Sequence, residues 1–210
     1  MSVDQIFAAL DYAGVFLFAL SGGILAARKA LDPFGAAVLG AAAGMGGGTL
    51  RDLFLGDLPV YWVDAPEYLA VAVIGGVAGY YGSELVRGET GARRRALVWA
   101  DAAGLSVFCV IGAEAGLAAG AHWTIAILTG VMSAAFGGLI RDIIVNEVPL
   151  VLRADVYALV ALAGAAGYIA AVSLGAPDSI AAPAAALATF ALRGCVIVFK
   201  LSLPGLARID

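Results

Sequence analysis

The chain has 210 residues, of which 62% are hydrophobic and 13% charged, with a formal net charge of −4, and its mean hydropathy is +0.98. Soluble globular domains carry about 25% charged residues, so this composition excludes a soluble enzyme or binding module and indicates an integral membrane protein. Most charges fall in short loops, so the net sign identifies no partner, and no nucleic-acid surface is expected.

A spanning helix needs about 20 mostly apolar residues, and backbone groups in lipid must be hydrogen-bonded among themselves. Seven stretches qualify, with cores at 6–27, 34–54, 68–86, 96–117, 122–145, 156–174 and 182–203. The expected fold is therefore an all-α integral membrane protein with seven transmembrane helices. The first stretch begins without a basic leader or small-residue cleavage site and reads as a retained span. Asp32-Pro33 opens the second helix, Asp64-Ala65-Pro66 the third, and Pro177-Asp178-Ser179 precedes the seventh. Cys109 and Cys195 lie within apolar stretches and read as packing residues, not as a disulfide or metal framework.

If the helices alternate, Arg28, Lys29, Arg87, Arg93, Arg94, Arg95, Arg153, Lys200 and Arg208 share one side, while Asp57, Asp64, Glu67 and Asp178 mark the other, with only Arg51 near it. Positive residues in short loops mark the cytoplasmic face. The N-terminus is thus expected outside and the C-terminus in the cytoplasm of a multi-pass cell (inner) membrane protein.

The chain also contains itself twice. Gly46-Gly47-Gly48-Thr49-Leu50-Arg51-Asp52 returns as Phe136-Gly137-Gly138-Leu139-Ile140-Arg141-Asp142, shifted by 90 residues (141 − 51 = 90). The same shift carries Asp11 onto Asp101, Gly14 onto Gly104, Phe18 onto Phe108, Gly22 onto Gly112, Gly40 onto Gly130 and Pro59 onto Pro149. Each copy holds three helices, and an odd number reverses the direction in which the second copy enters the bilayer. Residues 1–90 and 91–178 are thus expected as an inverted pair, with 179–210 adding the seventh helix and a cytoplasmic end.

Glycine costs about 1 kcal/mol relative to alanine in a helix. Gly46, Gly47 and Gly48 should weaken or bend the second helix, and Gly137 and Gly138 the fifth. Carbonyls freed at such bends, around 43–45 and 134–136, suit a cation, since a helix C-terminus is partially negative. The alternative is that these glycines let two helices cross closely. Arg51, Asp52, Arg141 and Asp142 lie well along their helices, where an ionisable group costs a few kcal/mol or more. Adjacent helical positions point about 100° apart, so Arg51 is not expected to satisfy Asp52 beside it, and partners elsewhere in the repeats are implied. Whether these residues clasp the fold or gate a wet passage stays open at this stage.

Arg193 lies halfway along the seventh helix and is expected to face the bundle interior. Lys200 reads as a snorkelling anchor. Glu84, Asp101 and Glu114 fall near expected helix ends and read as interfacial, as does His122, the single histidine, beside Trp123. One histidine and no cysteine cluster argue against an enzyme, and neither cofactor nor metal is indicated.

The paired motifs, each followed by a proline, resemble the prokaryotic branch of the trimeric intracellular cation (TRIC) channel family over nearly the whole chain. That resemblance implies a homotrimer in membrane lipid, with one pore per protomer lined by glycine-kinked helices 2 and 5, permeable to potassium with some sodium. It places the kink at Gly46, Gly47, Gly48, Gly137 and Gly138, and pore-lining or gating charges at Arg51, Asp52, Arg141 and Asp142, to which the position of Arg193 in its helix adds a fifth. The Lys-Glu-Val motif of the animal members is absent, so their regulation does not carry over. The rival reading is a secondary transporter of a small solute such as glycine, since broken helices in an inverted repeat are equally a carrier architecture.

Overall fold

The computed structural model describes residues 3–86, 91–152 and 156–202, and it is helical nearly throughout. The long helices are α1 (Val3–Arg28), α2 (Pro33–Leu55), α4 (Glu67–Gly82), α5 (Ala92–Ala118), α6 (Trp123–Ile144), α7 (Tyr157–Ser173) and α8 (Asp178–Phe199), with a single turn, α3 (Tyr61–Asp64), between α2 and α4. Short 3-10 turns occupy Ser83–Val86 and Leu150–Leu152. Among the described residues, four helices are apolar enough by length and composition to cross a membrane: 5–28 of α1, α5, α6 and α8. The glycine-rich α2 and the 16- and 17-residue α4 and α7 complete the bundle.

Local chemistry sets the boundaries. Asp32 caps α2 by accepting a 2.7 Å hydrogen bond from the Gly35 amide, with Pro33 in the first turn where its missing N–H is harmless. Gly56 ends α2 in the left-handed conformation (φ 73°), its amide reaching back to Asp52 and Leu53. His122 is not only interfacial, since its ring nitrogen accepts from the Thr124 amide as the cap of α6. α8 stops at Phe199 because Lys200 takes a left-handed cap, short of the expected end at Leu203, which lies outside the described residues. Arg87, Arg153 and Arg208 also lie outside them.

α5 is the hub, packed against α1, α6, α7 and α8. It begins at Ala92, four residues before the expected start, which moves Asp101 away from the helix end and into the core at 1% exposure. The expectation of an interfacial Asp101 is therefore corrected. Nine residues of helix separate it from Ala92, a rise of about 13 Å.

Contacts between the two copies are reciprocal. A Cβ on Gly104 would sit 2.6 Å from the Phe18 ring, and one on Gly14 would sit 3.2 Å from the Phe108 ring. Phe18 and Phe108, counterparts under the 90-residue shift, stack at 5.6 Å, a pairing that adds about 0.5–1.5 kcal/mol beyond area burial. Likewise a Cβ on Gly47 would overlap the Ser133 carbonyl, while one on Gly137 would overlap the carbonyl of Ala43, the counterpart of Ser133. In each of these pairs residue i meets j and their counterparts under the 90-residue shift meet in return.

Neither α2 nor α6 is interrupted at its glycines. The freed carbonyls expected at 43–45 and 134–136 are replaced by a close crossing: the carbonyls of Ala43 and Ser133 each lie against a glycine of the facing helix. Association in lipid rests on such packing, because hydrocarbon offers no hydrophobic gain between helices. Large apolar side chains remain exposed on the outside, among them Phe34, Ile74, Leu128, Leu187 and Val198, as a bilayer-facing surface requires.

Candidate functional site: two buried arginine clusters

The Arg-Asp pairs lie on the last turns of α2 and α6 and are buried. Contrary to the expectation that adjacent residues point apart, each arginine folds back along its helix onto its neighbour. Arg51 places Nε and Nη2 at 2.8 and 2.7 Å from Asp52 Oδ1, and Arg141 places the same atoms at 2.8 Å from Asp142 Oδ1. The guanidinium stem spans the angular gap that Cβ directions alone leave open, and the fork suits a carboxylate.

The second oxygen of each aspartate ties down the returning loop. Asp52 Oδ2 accepts from the Tyr61 amide at 2.9 Å, and Asp142 Oδ2 from the Leu150 amide at 3.1 Å. Pro59 and Pro149 stand one or two residues before those amides. The recurring sequence of arginine, aspartate and a following proline is thus a helix end sewn to its loop.

Beyond that shared frame the clusters diverge. Arg141 is fully buried and extends Nη1 to Asp101 Oδ1 at 2.9 Å and to Ser21 Oγ at 2.6 Å. One guanidinium therefore bridges α6, α5 and α1. Tyr157 of α7 closes the cluster, its hydroxyl donating to the Ala134 carbonyl at 3.3 Å. In the first copy, Asp11 holds the place of Asp101, but it accepts from the Tyr68 hydroxyl at 3.1 Å, not from Arg51. Arg51 lies over the Tyr61 ring, 5.7 Å from its centroid. Tyr61 meets Tyr68 edge to face, and Tyr68 stacks on Tyr12.

Asp11 and Ser21 are ten residues apart on α1, so the clusters lie about 15 Å apart along that helix. Gly47 and Gly137 form the crossing of α2 and α6. Gly46 faces Ile140, Gly48 faces the Tyr61 ring, and Gly138 faces Asp101 and Arg141. Arg193 joins neither ion-pair network: it is buried on α8 with its guanidinium 4.9 Å above the Tyr157 ring.

Sequence reasoning identified the arginines and their aspartates but missed Asp11, Ser21, Tyr61, Tyr68, Asp101 and Tyr157 as members. The 90-residue shift pairs Asp11 with Asp101, and Tyr68 recurs as Tyr157 at a shift of 89 (157 − 68 = 89). Repetition of a polar residue within apolar sequence was the available signal.

Comparison with known proteins matches this picture. A family model described as "Glycine transporter" matches residues 8–84 and again 98–173, starting 90 residues apart (98 − 8 = 90). The UPF0126 membrane protein of Vibrio cholerae is 38% identical over 94% of this chain and 82% of its own length. The UPF0126 inner membrane protein YadS of Escherichia coli is 36% identical over 94% and 95%. The solved structure of the TRIC trimeric intracellular cation channel orthologue from Rhodobacter sphaeroides superposes with a TM-score of 0.88 at 40% identity, covering 94% of this chain and all of that one. A prokaryotic TRIC channel in 0.5 M KCl gives 0.85 at 30% identity over 95% and 99%. The chain is a multi-pass membrane protein of the UPF0126 group, and it belongs to the prokaryotic branch of the TRIC channel family.

Proposed function

We propose that the protein is a potassium-permeable monovalent cation channel that works as a homotrimer, with one pore per protomer between α2 and α6. The observation that carries this reading is whole-chain similarity, at 40% identity, to a solved trimeric cation channel. Two three-helix repeats, 1–90 and 91–178, enter an inner membrane in opposite directions, and α8 follows them. The reciprocal contacts of Gly47 with Ser133 and of Gly137 with Ala43 support the twofold relation on which that reading rests.

In this conformation α2 and α6 meet with no room for a Cβ at Gly47 or Gly137, so the crossing is shut. Conduction requires the two helices to part there, and the glycine faces allow sliding without breaking a side-chain interlock. Arg51 and Arg141 border the passage at two depths. Their paired carboxylates lower the field that two bare guanidinium groups would set against cations. In this reading Arg51, which adds only the Tyr61 ring to its aspartate, gates the passage, and Arg141, tied also to Asp101 and Ser21, clasps the fold.

Single-channel recording of the purified protein in a KCl gradient tests the proposal: discrete currents reversing near the potassium potential are expected. Saturable uptake of radiolabelled glycine into proteoliposomes, without unit currents, would replace the channel by a carrier. Topology is tested separately with Asp57→Cys and Glu147→Cys, positions 90 residues apart. Impermeant reagents are expected to label residue 57 from outside and residue 147 from inside, and labelling of both from one side refutes the inversion.

A further inference from the structure

Three arginines are buried among the described residues, and their company differs. Arg51 and Arg141 each sit on carboxylates. Arg193 forms no ion pair among the described residues, and its Nε and Nη1 are buried without a hydrogen-bond partner. Asp101, which also neighbours Tyr157, is engaged by Arg141. The Tyr157 ring face is the compensation Arg193 has, worth about 2 kcal/mol when desolvated. Removing a cation from water costs several kcal/mol even after relaxation. No carboxylate among the described residues supplies the counter-charge.

The structure holds a place for one. Arg193 lines a cavity of about 180 Å³ between α5 and α8, together with Val98, Val196, Ile197 and Lys200. The volume far exceeds the roughly 10–15 Å³ that admits one water. Among the described residues its lining carries two cations and no carboxylate. The C-terminus of α8 opposes an anion with about half a negative charge, less than the two positive charges of Arg193 and Lys200. A guanidinium and an ammonium lining one cavity suit an oxyanion with several acceptor oxygens, and phosphate fits that description best.

We propose that Arg193 and Lys200 form a phosphate-binding site between α5 and α8, occupied by the phosphate of a membrane lipid or by free inorganic phosphate. The site is separate from the α2–α6 crossing, and its test does not depend on ion conduction. Lys200 lies at the mouth, exposed, and Arg193 at the floor. The ligand therefore enters from the end of α8 with its charged group leading.

The full chain is purified and examined in two arms. In the lipid arm, native mass spectrometry follows retention of phosphatidylglycerol against phosphatidylcholine. In the free-ion arm, thermal unfolding is followed in phosphatidylcholine nanodiscs with inorganic phosphate or chloride at equal ionic strength. Wild type is expected to retain phosphatidylglycerol, or to be stabilised by phosphate, and which arm responds identifies the source. Arg193→Gln is expected to weaken the response by about 10-fold or more, as loss of a charge-assisted hydrogen bond requires, and Lys200→Gln to weaken it less. Val98→Trp fills the cavity and leaves both charges in place, so it should abolish the response even if Arg193→Gln fails to fold. A wild type that responds in neither arm overturns the site, as does a Val98→Trp variant that responds like wild type. Dissociation of the Arg193→Gln assembly in a protein blind to both probes would also overturn it, assigning the counter-charge to a neighbouring protomer.

Discussion

Arg51 and Arg141 occupy the same place in the 90-residue repeat and share one local frame, an adjacent aspartate whose other oxygen holds a returning loop amide. Around that frame the copies have parted. Arg141 is fully buried and adds Asp101 and Ser21 to its partners, joining three helices. Arg51 adds an aromatic face, and Asp11, the counterpart of Asp101, turns to Tyr68. Both pairs are buried, and what separates them is company: Asp101 and Ser21 add bonds to the second, while the first has fewer bonds to break.

Neutralising each arginine gives the largest separation between the copies. Arg141→Gln leaves two buried carboxylates without their cation, a defect that costs about 3–5 kcal/mol and should abolish recovery of folded protein or sharply lower its thermal midpoint in detergent. Arg51→Gln strands one buried carboxylate, Asp52, where Arg141→Gln strands two, so its loss should be the smaller, about 3 kcal/mol. The protein should remain folded, with altered conductance or open probability in bilayer recordings. Equal losses of stability would erase the distinction between clasp and gate.

The glycines sharpen the contrast between a crossing and a lining. A Cβ at Gly47 overlaps the Ser133 carbonyl, a backbone atom that moves only if the helix moves, whereas at Gly138 it meets the Asp101 carboxylate at 3.1 Å. Gly47→Ala and its counterpart Gly137→Ala should each cost about 1–3 kcal/mol as overpacking, and Gly138→Ala under about 1 kcal/mol. Thermal unfolding of the three variants is the check. If Gly138→Ala is the most damaging, the crossing is not where the helices are held.

These effects also show what was legible in the sequence. The seven long helices, their approximate bounds and the paired charged motifs follow from apolar run length, capping residues and a fixed shift, all local properties. The bond between Arg51 and Asp52 was not legible, because angular spacing describes Cβ directions and ignores the reach of a long side chain folded against its own helix. Burial of Asp101 was missed for another reason. The run of Arg93, Arg94 and Arg95 reads as a loop, yet it forms the first turns of α5, and four added residues carry Asp101 into the core. The continuity of α2 through Gly46–Gly48 reflects tertiary override: carbonyl-to-glycine contacts with α6 hold a segment that intrinsic propensity would loosen.

The aspartates that differ most in company give a smaller separation. Asp101→Asn weakens a buried charged bond to Arg141, at about 1.5–3 kcal/mol, while Asp11→Asn alters a bond to a tyrosine hydroxyl in a less buried setting, at about 0.5–1.5 kcal/mol. The ratio of the two stability losses, measured in one detergent, is the readout, and a larger loss for Asp11→Asn would mean that the first cluster is the tighter one.

The smallest effect concerns a contact present in one copy alone. Lys29 bonds Glu147 at 3.0 Å, with both side chains a quarter to a third exposed, and Glu147 also lines a polar cavity of about 90 Å³ that reaches Asp142. Its counterpart Asp57 forms no ion pair among the described residues. A partly exposed pair contributes about 1 kcal/mol or less to stability, so Lys29→Gln should leave the thermal midpoint nearly unchanged. Its influence on a passing cation should be larger, because it removes the Lys29 ammonium from beside a carboxylate that lines that cavity. Currents through Lys29→Gln are expected to exceed wild type in dilute KCl and to converge with it near 1 M, where the screening length falls to about 3 Å. Asp57→Asn, which removes no ammonium from beside a carboxylate, should show the smaller change at every salt concentration. A salt-independent difference for Lys29→Gln would place its effect in packing and remove Glu147 from the path of the ion.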